Sequence, residues 1–409
     1  MSTVRVGVLI ALILVGAVFA LSSGSELYVR VTYLLLLVLA GAWLWTRSSL
    51  QGLDVNYEGS RTYATVGDQV TEQMTVFNDS WIAKFWLEIE QLTDLPGAIP
   101  PHVTHLAPNA ERTWRVQIPC DRRGRFRIGP TRLASGDPFG FFRREMVVGE
   151  QYHLTVYPQT VPLTRFELPP AELPGEGRYR RRTHFVTPNA AGVREYVHGD
   201  SYNRIHWPTT ARSGKLMVKE FELDPAAETW IVLDLEARVQ AGSGLQSTEE
   251  YAVAAAASVA KHYLDSSRPI GLLAFGHQLD IHRPDRGGHQ MAKMMESLAL
   301  VRAVGTVSLA ELLAGEARRF GRFSTLLIVT SSMDEVWVQQ LQHLMRRGAR
   351  AAVIMVEPST FGGEQTPLLT VGALAASGVQ SFLVKRAGSI AEGLAVLEAA
   401  EGGGSSSGG

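Results

Sequence analysis

The sequence is poor in the features that usually announce chemistry. One cysteine, Cys120, stands among 409 residues. A single thiol excludes an internal disulfide framework and suits a reducing compartment. There is no G-x-x-x-x-G-K-[ST] phosphate loop, no Cys/His zinc spacing, and no G-x-S-x-G outside the Gly/Ser tail, so no catalytic class is signalled by motif. An excess of charge is missing too: 39 Lys and Arg face 40 Asp and Glu, leaving a net charge of −1. That removes the global electrostatic argument for nucleic acid.

Two long apolar runs are present. Val6 to Leu21 and Val31 to Trp45 are almost wholly apolar, and short extensions bring each to the ~20 residues that cross a bilayer. The connection Ser22 to Arg30 suffices for a tight hairpin. Trp43, Trp45 and Arg47 read as an interfacial belt and anchor. A signal peptide is the competing reading, with Arg5 as its basic region, but Val18-Phe-Ala20 is a poor cleavage box. Burial of both runs as helices in a soluble core is a second alternative. The expectation is a two-span transmembrane hairpin over 1–48, with the lipid bilayer as partner. Arg5 and Arg47 lie at its outer ends, so the positive-inside rule puts both ends in the cytoplasm.

Residues 49–165 read as an all-β sandwich. Phe85, Leu87 and Ile89 alternate with Trp86, Glu88 and Glu90, and Trp114, Val116, Ile118 and Cys120 do likewise with their neighbours. Val70 to Val76 and His153 to Val156 add strands, while Asn78 to Ser80, Leu95 to Gly97, Pro108-Asn109 and Gly129-Pro130 read as turns. Asp137-Pro-Phe-Gly140 reads as a turn whose Phe tucks inward. Pro158 to Pro174 is proline-rich and reads as a linker or surface strap.

From Thr229 the period changes. Trp230 to Leu235, Ile270 to Phe275, Thr325 to Val329, Ala351 to Val356 and Ser381 to Val384 are buried-strand runs. Helical stretches lie between and after them: Glu249–Leu264, Met291–Val301, Leu309–Phe320, Glu335–Arg346, Leu368–Ala376 and Ile390–Ala399. Such alternation predicts a mostly parallel sheet covered on both faces, an α/β Rossmann-type domain over 229–400. The Gly/Ser tail 401–409 is expected to carry no fold.

Residues 166–228 hold a linker and the densest motif of the chain. It runs Arg194-Glu-Tyr-Val-His-Gly-Asp-Ser-Tyr-Asn-Arg-Ile-His-Trp207, then Thr210-Ala-Arg212 and Lys215-Leu-Met-Val-Lys-Glu220. Gly199-Asp200 can turn the chain, Arg204 can pair with Asp200, and Ile205 and Trp207 are expected to bury against the sheet, with Pro208 ending any helix. Lys215 to Glu222 reads as a strand adding to the domain. His198, Asp200 and His206 could form an acid–base group, but no nucleophile motif accompanies them. Nine Lys and Arg between Arg178 and Lys219 face only Glu195 and Asp200. Pairing with Glu220, Glu222, Asp224 and Glu228, an acidic partner, or an anionic leaflet met by Arg180 to Arg182 would each answer that excess.

This motif resembles the signature of the bacterial family called domain of unknown function 58, R-E-Y-x-x-G-D-x-x-R-x-I-x-W-x-x-x-A-R followed by L-x-V-K-E. Arg194, Tyr196, Gly199, Asp200, Arg204, Ile205, Trp207, Ala211 and Arg212 carry the match. Arg123-Gly124 and Asp137 to Gly140 agree with it as well. The resemblance implies a von Willebrand factor A-like C-terminal domain, whose metal-ion-dependent adhesion site reads D-x-S-x-S. Here that stretch is Asp234-Leu-Glu-Ala-Arg238, so Glu236 and Arg238 replace two hydroxyl ligands. Gly305-Thr306 matches the loop Thr, and Ser331 stands at the acidic position after the fourth strand. A degenerate site of Asp234, Glu236 and Thr306 follows, without a cofactor, Arg238 pairing with Asp234 where Mg²⁺ would sit.

Relatives are typically encoded beside MoxR-type AAA+ ATPases and transglutaminase-like membrane proteins. The resemblance therefore implies a non-enzymatic adaptor or scaffold at the bacterial plasma membrane, its soluble domains cytoplasmic, serving a MoxR-type ATPase in assembly or quality control. A Mg²⁺-dependent ligand-binding receptor is the alternative, and a hydrolase built on the signature the third reading.

Overall fold

The computed structural model describes residues 2–59, 61–97, 99–166, 168, 190–197, 202, 205–221, 228–321 and 324–395. Two compact units divide the chain: Met1–Gln159 with Leu298–Leu300, and Thr160–Ser297 with Val301–Gly409.

The first unit opens with α1 (Ser2–Ser23) and α2 (Glu26–Ser49). Both are long and apolar enough to cross a membrane,. Nine strands follow: β1 (Leu53–Glu58), β2 (Tyr63–Thr65), β3 (Gln69–Asn78), β4 (Lys84–Thr93), β5 (His102–Leu106), β6 (Ala110–Pro119), β7 (Gly124–Gly136), β8 (Arg143–Val148) and β9 (Tyr152–Tyr157). They form one sheet ordered β1-β3-β6 and another ordered β2-β9-β7-β4-β5, with β8 also on β7. Alternate residues of both sheets meet in one hydrophobic cluster: Val70, Met74, Val76 and Ile118 from the first, Leu87, Ile89, Ile128, Leu133 and Leu154 from the second. That is the layered arrangement the alternation predicts.

Three local expectations need correction. The alternation of β4 breaks at a bulge: Trp86 has φ 49° and the register shifts between Lys84 and Leu87. Lys84 turns inward and Phe85 and Trp86 turn out, since an extra residue re-aims the side chains beside it. Gly129-Pro130 is no turn but lies inside β7, where the strand changes partner from β9 to β8. Phe139 is 56% exposed and stacks on Phe141 at 5.6 Å. The turn itself stands, because Asp137 accepts from the Phe139 and Phe142 backbone N–H groups at 2.9 and 2.6 Å. Both bonds fix backbone only, so neither requires the ring to go inward.

Inward-turned Lys84 is 1% exposed, and its Nζ donates to Ser48 O at 2.7 Å. Arg144 Nη1 reaches Arg47 O at 3.3 Å. These two cations donate to carbonyls of the last turn of α2 and favour its negative pole,. Burial pushes the Lys84 pKa down.

The second unit contains β10 (Ala190–Glu195), α3 (Trp207–Ser213), β11 (Met217–Phe221), β12 (Glu228–Leu233), β13 (Gly242–Ser243), β14 (Gln246–Ser247), α4 (Thr248–Asp265), β15 (Ile270–Phe275), β16 (Leu279–Asp285), all but the last three residues of α5 (Gly288–Leu300), and α6 (Leu309–Gly315). After these come β17 (Ser324–Thr330), α7 (Val336–Arg346), β18 (Arg350–Val356), α8 (Leu368–Ala376), β19 (Gln380–Val384) and α9 (Ile390–Gly393). The main sheet is ordered β16-β15-β12-β17-β18-β19, parallel except for the edge strand β16. Its central strands are buried along nearly their whole length, as strands with both faces covered must be. Trp230, Val232, Leu326, Ile328, Trp337 and Leu341 belong to one core cluster.

Strand β16 lies at the edge with most side chains part-exposed, so no apolar run marks it. Helix α6 stops at Gly315, short of the expected Phe320. The proline-rich strap begins packed rather than loose. Val161 N–H donates to Ser258 Oγ at 3.0 Å, and Phe166 meets Phe382 at 5.1 Å. Most of its remainder and the tail 401–409 lie outside the described residues.

Candidate functional site

In the main sheet β12 is the first strand in chain order, and the sheet grows from it on both sides, through β15 on one and β17 on the other, both parallel to it. The gap between the carboxyl ends of β12 and β17 is therefore a topological switch point, where open α/β sheets place their ligands. Asp234 directly follows β12, and Thr330 ends β17. Thr330 Oγ1 donates to Asp234 Oδ2 at 2.6 Å, and the Glu236 backbone N–H donates to Oδ1 at 3.1 Å. Asp234 is 2% exposed. Burial raises its pKa to about 6, against the opposing effect of the two hydrogen bonds, with Glu236 adding a smaller upward push,.

Glu236 is buried beside it and takes the charge of Arg238. Arg238 Nε lies 2.8 Å and Nη2 2.7 Å from Glu236 Oε1. The expected Arg238–Asp234 pair is thus replaced by Arg238–Glu236, because Asp234 is already engaged by Thr330. Arg238 also helps hold the Glu311 carboxyl below its usual range, after the larger contribution of the Ser308 N–H and hydroxyl. Gly305 abuts this turn. Its N–H donates to Leu235 O and its carbonyl accepts from Ala237 N–H, both at 2.9 Å. A Cβ there would sit 2.6 Å from Phe275 O, so only glycine permits the approach. Thr306, next in the chain, is exposed. The structure therefore brings Asp234 and Glu236 together and leaves the Thr306 side chain on the rim.

Ser331 and Ser332 complete the floor. Ser332 N–H donates to Thr330 Oγ1 at 2.8 Å. Ser331 is 1% exposed, and its Oγ has no hydrogen-bond partner among the described residues. Thr330, Gln240 and Thr248 were not legible as members of this cluster. Gln240 Nε2 donates to Glu236 O at 3.3 Å and its Oε1 accepts from Thr248 Oγ1 at 2.7 Å. Ser308-x-x-Glu311 does carry a sequence signal, the capping box it forms,. Among the described residues no group of three or more His, Cys, Asp or Glu side chains is arranged for a metal ion.

Beyond this floor, four apolar side chains stand exposed: Val304, Val336, Leu368 and Leu369. Val304 precedes Gly305, and Val336 begins α7 after the Ser331 loop. Thr370 Oγ1 donates to Met333 O at 2.9 Å, tying the start of α8 to that same loop.

The signature forms a separate substructure. Strands β10 and β11 pair antiparallel as a two-stranded sheet, and do not extend the main one. Ile205 bridges to Val218, and both are buried. Trp207 is 64% exposed, contrary to the expected burial. Ile205 makes the inward contact of this stretch, and Trp207 begins α3. Pro208 lies in the first turn of α3 and starts the helix rather than ending it, since that turn needs no proline N–H. Tyr196 stacks on Tyr202 at 5.8 Å, while Ala211 and Arg212 are exposed. His206 Nδ1 lies 2.7 Å from Thr209 Oγ1. The backbone of Arg194 is described but not its side chain. Gly199, Asp200, Arg204, His198 and Arg180 to Arg182 lie outside the described residues.

Several known proteins are similar to parts of the chain. The uncharacterized protein Rv1480 of Mycobacterium tuberculosis (strain ATCC 25618 / H37Rv) is 26% identical over 174 residues, 40% of this chain and 54% of its own length. The chain thus spans about half the length of that relative. Uncharacterized protein YeaD of Bacillus subtilis (strain 168) is 28% identical over 111 residues, 27% of this chain and 26% of YeaD. Among solved structures, the CARDB domain of PF1109 from Pyrococcus furiosus aligns at 16% identity and a TM-score of 0.20. That alignment covers 26% of this chain and 94% of the domain, and at such a score it carries no argument. A family model described as "Protein of unknown function DUF58" matches residues 192–367. From the signature strands to the residue before α8, this chain is therefore similar to the DUF58 family.

Proposed function

We propose that the chain is a membrane-anchored, non-enzymatic docking protein. In this reading α1 and α2 anchor it in the bacterial plasma membrane with the rest in the cytoplasm, and the second unit is a von Willebrand A-like domain that binds protein without a metal. The observation carrying it is the Arg238–Glu236 pair at 2.7 Å. A monovalent cation sits on the carboxylate that a divalent ion would need, and it opposes such an ion electrostatically,. What remains at the switch point is a polar floor bordered by Val304, Val336, Leu368 and Leu369, the apolar-and-polar composition of a protein contact. By family resemblance the partner is a MoxR-type AAA+ ATPase, with a transglutaminase-like membrane protein in the same assembly, and the work is membrane-associated assembly or quality control.

The test is recovery of the AAA+ ATPase with the tail-tagged chain from native membranes. Leu368→Asp with Leu369→Asp should lower recovery about tenfold or more, as loss of a central apolar contact does, while the melting temperature holds. Equal recovery by wild type and variant overturns the docking face. A second reading, a Mg²⁺-dependent receptor, draws on Ser331 Oγ, a buried hydroxyl next in the chain to Thr330 that lacks a partner among the described residues. That is what a cation ligand awaiting its ion would look like.

A further inference from the structure

The turn Asp137 to Gly140 plays no part in the docking reading, yet it stands at the foot of the hairpin. A cleft of about 640 Å³ opens there, lined among others by Arg5, Trp86, Val103, Gly140, Phe142 and Arg143. That volume falls within the roughly 300–1,000 Å³ of small-ligand sites. Gly140 has φ +71°, and a Cβ on it would come within 2.7 Å of Arg5 Nη1. The turn therefore leaves space for the guanidinium.

Charge around the cleft is unevenly committed. Arg143 is held by Glu88 at 2.8 Å and Glu145 at 3.1 Å, and Asp137 is occupied by backbone N–H groups. Arg5, by contrast, has no carboxylate partner among the described residues. Arg47 lies over the Trp43 ring at 5.6 Å, and Arg144 donates to a carbonyl and has no carboxylate partner among the described residues. Aromatic side chains mark the level: Trp45 stacks on Phe85 at 5.9 Å, Phe85 meets Trp86 at 6.4 Å, and Phe139 and Phe141 stack on the turn. Trp86 reaches the cleft through a strained φ of 49°, which a bulky residue rarely adopts. Rings of this kind at the ends of two membrane-length helices belong at headgroup depth.

We propose that this cleft holds the phosphate of an anionic phospholipid, with Arg5 as its cation and Trp86, Phe139 and Phe141 seated in the headgroup layer. The proposal rests on α1 and α2 crossing a bilayer, as in the function proposed above. Carbonate washing of native membranes tests that reading separately: release of the chain would end the anchor, and the lipid measurement in detergent would still stand alone.

The measurement is native mass spectrometry of the full chain in detergent, titrated with phosphatidylglycerol or phosphatidylcholine of identical acyl chains. Phosphatidylglycerol should be retained roughly fivefold better, the factor that about 1 kcal/mol per interfacial cation gives. Arg5→Gln should erase the difference, and Arg5→Lys should keep most of it. Equal retention of both lipids by the wild type, or an unchanged preference in Arg5→Gln, overturns the proposal. So does displacement of bound phosphatidylglycerol by an equal concentration of inorganic phosphate, which would make the cleft a free-phosphate site. If Arg5→Gln melts early, the wild-type lipid ratio and the phosphate competition still decide.

Discussion

Glu72 and Asp234 are both carboxylates taken out of water, at 1% and 2% exposure, yet they are buried in different ways. Glu72, on β3, faces the opposite sheet. Tyr152 OH donates to one of its oxygens and Gln91 Nε2 to the other at 3.4 Å, beside a Tyr57–Thr131 hydroxyl contact. Its partners come from β4 and β9, so the cluster ties the two layers together in one register. Asp234 sits where a parallel sheet ends, held by Thr330 and a backbone N–H, with the orphan hydroxyl of Ser331 nearby. Gln91 Oε1 is also unpartnered, but between two sheets rather than beneath loops. A polar group enclosed between layers specifies the fold. One at a strand terminus can be reached when loops move, which is why sites gather there.

The sharpest break between the two should come from truncation. Glu72→Ala strands Tyr152 OH and the Gln91 amide inside a closed layer, and should cost about 3 kcal/mol in the denaturant midpoint at constant slope. Truncating Asp234 to Ala at pH 8 should cost far less, because its carboxylate carries the larger penalty for ionised burial and that penalty disappears with it. Equal losses at the two positions would mean that the sheet end is as closed as the sandwich interior.

The next effect is a pH profile. The folded pKa of Asp234 is about 6 against a usual 3.8, so the folded state binds the proton more tightly than the unfolded state. Its contribution is fully present below about pH 4 and is lost as pH rises through about 6. A shift of this size corresponds to roughly 3 kcal/mol. Asp234→Asn should therefore be the more stable protein at pH 8, by up to about that amount, and should flatten the decline between pH 4 and 6. Glu72 is raised in the same direction by burial, so a weaker slope should survive in Asp234→Asn. A profile left unchanged by that substitution would show that Asp234 is not buried as described.

Much of this comparison was readable before the fold was known. Val6 to Leu21 and Val31 to Trp45 mark two membrane-length helices through length and apolarity alone. Strands such as Trp230–Leu233 and Leu326–Val329 are unbroken apolar runs because both faces are covered. Asp234 was legible as the acid that ends such a run, and the structure places it directly after β12. Its partner was not, since Thr330 lies 96 positions away and spacing says nothing about which strand lies alongside. The pairing of Arg238 was misplaced for the same reason. Strand β7 was hidden by Gly129-Pro130, a pair that usually breaks a strand and here marks a change of partner. Trp207 was expected inside because large rings usually are, but Ile205 makes the inward contact of its segment.

The smallest expected effect is none at all, and it bears hardest on the sheet terminus. Millimolar Mg²⁺ should leave the melting temperature of the full chain unchanged. A hard divalent ion wants several oxygen ligands at once. Here Glu236 already carries Arg238, Asp234 holds a hydroxyl hydrogen bond with a raised pKa, and the two hydroxyl positions of the D-x-S-x-S pattern are Glu236 and Arg238. Mass action makes a null result informative, since a ligand present at 100 times its dissociation constant would add about 2.7 kcal/mol. A Mg²⁺-dependent rise that Asp234→Ala abolishes would mean that Arg238 swings away and Ser331 Oγ, with Asp234, takes up the ion. The orphan hydroxyl would then be a ligand in waiting, and the sheet terminus a metal-gated receptor site rather than a metal-free docking face.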